Sequence, residues 1–227
     1  LDLNFIRSLV IAAIPVLIAI TFHEVAHGYV ASRFGDHTAK SMGRLTLNPI
    51  AHIDLFGTII IPILLFISTN GQFTFGYAKP VPINPFNLRN PKKDMIYVSA
   101  AGPAANILIA FLSGLLLVVL TWLEMIMPPA VVSKIFLPFA SMLRYGIIMN
   151  VYLAAFNLIP IVPLDGGRIL AGFLPRELEI QFSRLEPYGI FIVLLLIFLG
   201  ATRYFVVPLA NLILAMISGI LSIFTPM

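Results

Sequence analysis

Cysteine is absent from the 227 residues, which rules out disulfides and leaves no thiolate for a metal. Charge is scarce: Asp, Glu, Lys and Arg together make 11% of the chain, half or less of what a soluble domain carries. The net charge of +4 is spread thinly, so it bears on membrane topology rather than on nucleic-acid binding. Repeats and low-complexity tracts are also missing, which excludes solenoids and extended linkers. What fills the chain instead is apolar sequence, at 59%. A length of this order suits one domain of several helices.

Five apolar runs read as helices, at about 5–32, 95–122, 138–159, 187–201 and 204–223. The first ends near Gly35, a residue suited to a helix C-cap. A bilayer crossing needs roughly 20 apolar residues. The first run continues through its polar residues with no small-residue cleavage site after it, so it reads as a helix rather than a signal peptide. The fold class expected is an all-α polytopic membrane protein. It has five to six transmembrane helices and a small β-region between the first helix and the one containing "AGPAAN". That β-region would pair "AKSMGRLTLNP" (39–49) with the Pro/Asn-rich "YAKPVPINPFNLRNPKK" (77–93), whose prolines exclude a regular helix.

The segment "GTIIIPILLFIST" (57–69) is short for a crossing and contains Pro62. Runs of about 10–14 apolar residues are more often re-entrant or interfacial. If it does not cross, one side of the membrane holds Arg33, Lys40, Arg44, Lys79, Arg89, Lys92, Lys93, Arg168, Arg176 and Arg184, ten of the fourteen basic residues. If it crosses, the split falls to eight against six. The positive-inside rule favours the non-crossing arrangement, with the N-terminus outside.

Inside the first apolar run stands "TFHEVAHGYV" (21–30). An ionisable residue at the centre of such a helix costs about 2.5–3.5 kcal/mol, so it needs a partner, a cavity or a metal. His23 and His27 are four apart and share one helix face, within reach of a single ion. Glu24 points about 100° away, beside the metal rather than onto it, where it can hold a water and take its proton. This is the H-E-x-x-H zinc pattern. A catalytic zinc site usually has three protein ligands. The best third candidate is Asp165 in "FNLIPIVPLDGGRIL" (156–170), freed from regular helix by Pro160, Pro163, Gly166 and Gly167. One metal then requires the ends of the first and third apolar helices to lie on the same side, which again opposes a crossing at 57–69. The competing readings are a polar helix contact for the histidines and an ordinary helix-starting turn for Asp165.

"HEVAH" in a first hydrophobic helix, "AGPAAN" (101–106) opening another, and N-x-x-P-x-x-P-L-D-G at 157–166 together resemble the site-2 proteases, zinc intramembrane metalloproteases, in the short form without PDZ or CBS domains. The resemblance covers about residues 20–170. It implies one Zn2+ held by His23, His27 and Asp165, with Glu24 as general base. It suggests that Asn157 hydrogen-bonds a substrate strand or steadies an oxyanion; a helix–helix hydrogen bond is the alternative. Gly102 and Asn106 read as packing residues. His52 and Asp54 read either as partners that orient a ligand histidine or as the polar start of the 57–69 segment.

The expected protein is a single membrane-embedded metalloprotease domain over 1–227, with its catalytic core at about 5–170 and a C-terminal helical pair at about 187–223. Its partners would be the lipid bilayer and a transmembrane protein substrate, with no nucleic acid, and nothing in the sequence sets an oligomeric state. The substrate would be received on the extended 73–85 stretch by β-addition. The expected location is the plasma (inner) membrane of a prokaryote, as a multi-pass protein with its active site near the cytoplasmic face. The rival readings are a metal transporter and a non-catalytic membrane module with structural zinc.

Overall fold

A computed structural model of the chain describes residues 3–68 and 76–225. Among these, five helical runs are long and apolar enough to cross a membrane: Ile11–Arg33, Pro91–Glu124, Pro129–Asn157, Arg176–Phe198 and Arg203–Phe224. We label the principal helices α1 (Leu3–Arg33), α2 (Ile61–Ser68), α3 (Pro91–Glu124), α4 (Leu137–Asn157), α5 (Asp165–Phe173), α6 (Arg176–Ser183), α7 (Gly189–Phe198) and α8 (Arg203–Leu221).

Helices α1, α3, α4 and α8 form the bundle. Its core joins Ala110 and Val118 of α3, Val151 and Ala155 of α4, and Val206, Ala210, Ile213 and Ile217 of α8. The small residues let the helix backbones approach closely, the usual basis of packing where lipid removes the hydrophobic drive. At the end far from the site, Trp122 Nε1 donates to Phe224 O at 2.8 Å and ties α3 to the turn after α8.

Helix α1 stops as its sequence predicts. Gly35 has φ +111°, and Asp36 N donates to Ala31 O at 3.0 Å while Gly35 N reaches Ser32 O, the Schellman pattern. Asp36, buried directly beyond, takes four hydrogen bonds: from the amide and hydroxyl of Thr38, from Asn84 N at 2.7 Å and from Asn87 Nδ2 at 3.0 Å. Burial pushes its carboxyl pKa up, but these donors outweigh it and hold the pKa below the ordinary carboxylate value. The start of the loop is thereby fixed to its return.

Arg89 N donates to Phe34 O at 3.1 Å, so the linker from α1 to α3 begins and ends at the same end of the bundle. A single net crossing at 57–69 is incompatible with that contact. The segment forms a six-residue π-helix, Leu55–Ile60, running into the eight-residue α2. Together they fall well short of the roughly 30 Å hydrocarbon thickness. Pro62 lies inside this continuous helical run, just past the change from π to α geometry. The last residue of the segment, Thr69, lies outside the described residues.

The expected β-region is not there: among the described residues there is no strand. Thr38–Ser41 is one helical turn, and 77–84 is extended without a ladder. The reason lies in where the backbone donors go. Pro80 and Pro82 have none. Tyr77 N binds Gly57 O, Lys79 N binds His52 O, Val81 N binds Glu24 Oε2 and Asn84 N binds Asp36 Oδ2. The Arg44 guanidinium takes the carbonyls of Lys79 and Pro80. What joins 39–49 to this segment is the Arg44 side chain, and no backbone ladder forms between them among the described residues. The 73–75 part of the predicted substrate stretch lies outside the described residues. Helix α3 also begins four residues before the predicted Met95, because Pro91 sits in its first turn, the one helical position that suits proline.

Candidate metal centre

Helix α1 carries His23 and His27 on one face, and α5 begins at Asp165. The three side chains are buried and meet. His23 Nε2 and His27 Nε2 are 3.1 Å apart, and Asp165 Oδ2 lies 3.2 Å and 3.4 Å from them. Ligands at about 2.0–2.2 Å around a tetrahedral centre stand about 3.3–3.6 Å from one another, close to this triangle.

The hydrogen bonds behind the imidazoles say which atoms carry protons. His27 Nδ1 faces Val98 O at 2.7 Å, an atom that only accepts. His23 Nδ1 faces Asn106 Oδ1 at 2.6 Å. Both Nδ1 atoms therefore donate, and the neutral rings turn their Nε2 lone pairs inward. Asp165 Oδ2, the third inward atom, is buried and receives no hydrogen bond. With both rings neutral, three acceptors converge with no proton to share, an arrangement that repels itself unless a cation stands between them. Two imidazole nitrogens and a carboxylate oxygen, with outer partners fixing the rings, fit Zn2+ with a fourth position open.

Close backbone packing places each piece. A Cβ at Gly102 of α3 would stand 2.4 Å from His27 Nε2 and 2.7 Å from His23 Cε1, so only glycine lets α3 pass the two rings. A Cβ at Gly166 would meet Leu158 O at 2.3 Å, and one at Gly167 would meet Ile161 C at 2.3 Å, so the pair after Asp165 seats α5 on the preceding loop. Gly102→Ala should displace the rings and lower zinc affinity by at least about tenfold, the scale on which disturbed outer contacts act. Zinc content of the purified variant checks it, and full occupancy would contradict the close fit.

Glu24 lies beside the cluster, half-buried, and accepts Val81 N–H on Oε2 at 2.7 Å. Its Oε1 receives no hydrogen bond from the described residues. Between the 80–86 segment and helices α5 and α6 lies a cavity of about 770 Å3, with Val81, Ile83, Met95, Val162 and Ile180 among its walls. Ion pairs brace its rim, Lys92–Glu179 at 2.8 Å and Arg168–Glu186 at 3.3 Å. Lys92 also donates to Leu174 O at the α5–α6 corner.

The remaining candidates fall elsewhere. Asn157 donates from Nδ2 to Leu153 O at 3.0 Å, within its own helix. Asp54 accepts Gly57 N at 2.7 Å and caps the π-helix, the polar start of the 57–69 segment. Buried His52 binds Thr46 O through Nε2 at 2.8 Å and holds the loop, while the Nδ1 atoms of His23 and His27 are held by Asn106 and Val98 instead. Asn106, expected to serve packing, instead touches His23. Nothing in the local sequence marks Val81 or Asn150; each acts through a contact dozens of residues away.

The model of the family described as Peptidase family M50 matches residues 11–200. The chain is 37% identical over 198 residues to a Bacillus subtilis protein named "Putative zinc metalloprotease YwhC", covering 87% of this chain and 84% of that one. It is 29% identical over 204 residues to the Mycolicibacterium smegmatis protein named "Putative zinc metalloprotease Rip2", covering 89% and 73%. The Mycobacterium tuberculosis protein of the same name is 28% identical over 190 residues, 82% of this chain and 65% of that one. No solved structure matches the chain.

Proposed function

The chain belongs to peptidase family M50, the site-2 proteases, and from that premise we propose that it is a zinc-dependent intramembrane endopeptidase cutting transmembrane segments of other membrane proteins. The observation that carries this is the meeting of three buried lone-pair atoms, from His23, His27 and Asp165, beside Glu24. These three residues would hold one Zn2+. Bound there, zinc supplies a Lewis acid for the scissile carbonyl and lowers the pKa of water. Glu24 does the proton work: Val81 N–H holds one carboxylate oxygen, and the other is free to take a proton from the attacking water and return it to the leaving amine. A single ligand cluster among the described residues suits a resident metal better than a conduction path.

A helical substrate hides its carbonyls in its own hydrogen bonds and must unwind to be cut. The 77–84 segment and the cavity beside it, whose walls are part apolar and part charged, suit an unwound chain in such a state. The test is cleavage of a single-span protein by the purified enzyme in lipid vesicles, after chelation and again after zinc is restored. Cleavage that chelation does not reduce would refute the proposal.

The ten-to-four split of basic residues supports a cytoplasmic location for the end of the bundle that carries the site. Cysteines introduced one at a time at Arg44 and Lys92 should both resist a membrane-impermeant thiol reagent in intact cells, and the absence of native cysteine keeps the background clean. Labelling of either from outside would overturn the orientation.

A further inference from the structure

The two ligand histidines are held by different kinds of acceptor. The main-chain carbonyl of Val98, behind His27, can only accept. Behind His23 stands a primary amide, which has an accepting end and a donating end of nearly the same shape. Were Asn106 turned round, its Nδ2 would donate to His23 Nδ1, the ring proton would move to Nε2, and the ligand lone pair would be lost.

A chain of buried contacts prevents that turn. Asn106 is fully buried, and its Nδ2 donates twice, to Ala19 O at 3.0 Å and to Asn150 Oδ1 at 2.9 Å. Asn150, equally buried, is itself an amide, and its Nδ2 donates to Gly146 O at 2.8 Å. Each amide thus rests on a helix carbonyl that cannot reverse its role, Asn106 on Ala19 O and Asn150 on Gly146 O. The order runs Gly146 O, Asn150, Asn106, His23, from α4 through α3 to α1.

We propose that Asn106 and Asn150 form a tautomer lock, positioning residues that keep the His23 proton on Nδ1 and its Nε2 lone pair on the metal. This rests on the reading of the site as a zinc centre. The competing role is interhelical adhesion alone, since side-chain hydrogen bonds between membrane helices are common and modest in strength.

The two roles separate by substitution. Asn106→Asp keeps an acceptor for His23 Nδ1–H but loses both donors to the neighbouring helices. A carboxylate also has no wrong end to present. Asn106→Leu removes the acceptor at similar volume. Zn2+ affinity of each purified protein is measured by competition with a chromophoric chelator, with circular dichroism and thermal unfolding alongside. The lock predicts that Asn106→Leu weakens zinc binding by about 10–100-fold, as loss of an outer partner does. It predicts that Asn106→Asp unfolds at lower temperature yet binds zinc within about threefold of wild type, well short of the loss expected when an outer partner goes. Asn150→Ala should weaken binding by about tenfold in the native background, the low end of that range. In the Asn106→Asp background it should have no effect on zinc, where there is no amide left to orient. Equal zinc loss in Asn106→Asp and Asn106→Leu, or an equal effect of Asn150→Ala in both backgrounds, would overturn the lock. A wild-type protein that binds no zinc would instead defeat the metal-centre reading itself.

Discussion

Glu24→Gln is expected to keep its zinc and lose nearly all proteolysis. The glutamine side chain has the same shape, and its amide oxygen can still accept Val81 N–H, so the 77–84 segment stays where it is. The three inward ligand atoms do not include Glu24, so metal content should be unchanged. What disappears is the base. General acid–base groups contribute typically about 10²–10⁴-fold, and a residue serving both to accept and to return the proton belongs at the upper end. Zinc content and cleavage rate, measured on one preparation, decide it. Cleavage within tenfold of wild type would remove Glu24 from the chemistry.

Asp165→Ala should lose metal and activity together. The substitution takes away one of three inward ligand atoms and leaves two imidazoles facing each other at 3.1 Å. The loss of zinc affinity should exceed the roughly 10–100-fold that follows removal of an outer partner, because here a ligand itself is gone. The fold should persist, since Asp165 occupies the first position of α5 and the packing there runs through Gly166 and Gly167. Circular dichroism close to wild type, with a chelator-sensitive zinc lost, is the expected pair of results. Retained tight zinc would place the third ligand elsewhere.

Sequence and structure agree most where the signal is local. H-E-x-x-H is readable because a helix brings residues four apart onto one face, and Gly35 because a Schellman end needs a left-handed residue. Asp165 was readable as an acidic group stranded among prolines, glycines and apolar residues. The β-region misled for a physical reason: prolines and alternation mark extended chain, but they do not say whether its donors find another strand. Here Val81 and Asn84 give theirs to carboxylates 57 and 48 residues away. Asn106 and Asn150 look like ordinary polar residues in apolar helices. Their roles depend on partners 83 and 44 residues distant, a separation that no periodicity encodes. Gly102 looked like a packing residue and is one, but what it packs against is the pair of imidazoles.

The proposed centre is one zinc ion held by His23, His27 and Asp165 together. Zinc-edge X-ray absorption on the purified, metal-loaded protein addresses it directly, read with the zinc content per chain. The expected result is one zinc per chain with two imidazole nitrogens and carboxylate or water oxygen at about 2.0–2.2 Å. His23→Ala should remove one imidazole from that shell or abolish binding. A shell without imidazole, or one unchanged when His23, His27 and Asp165 are each replaced, would contradict it.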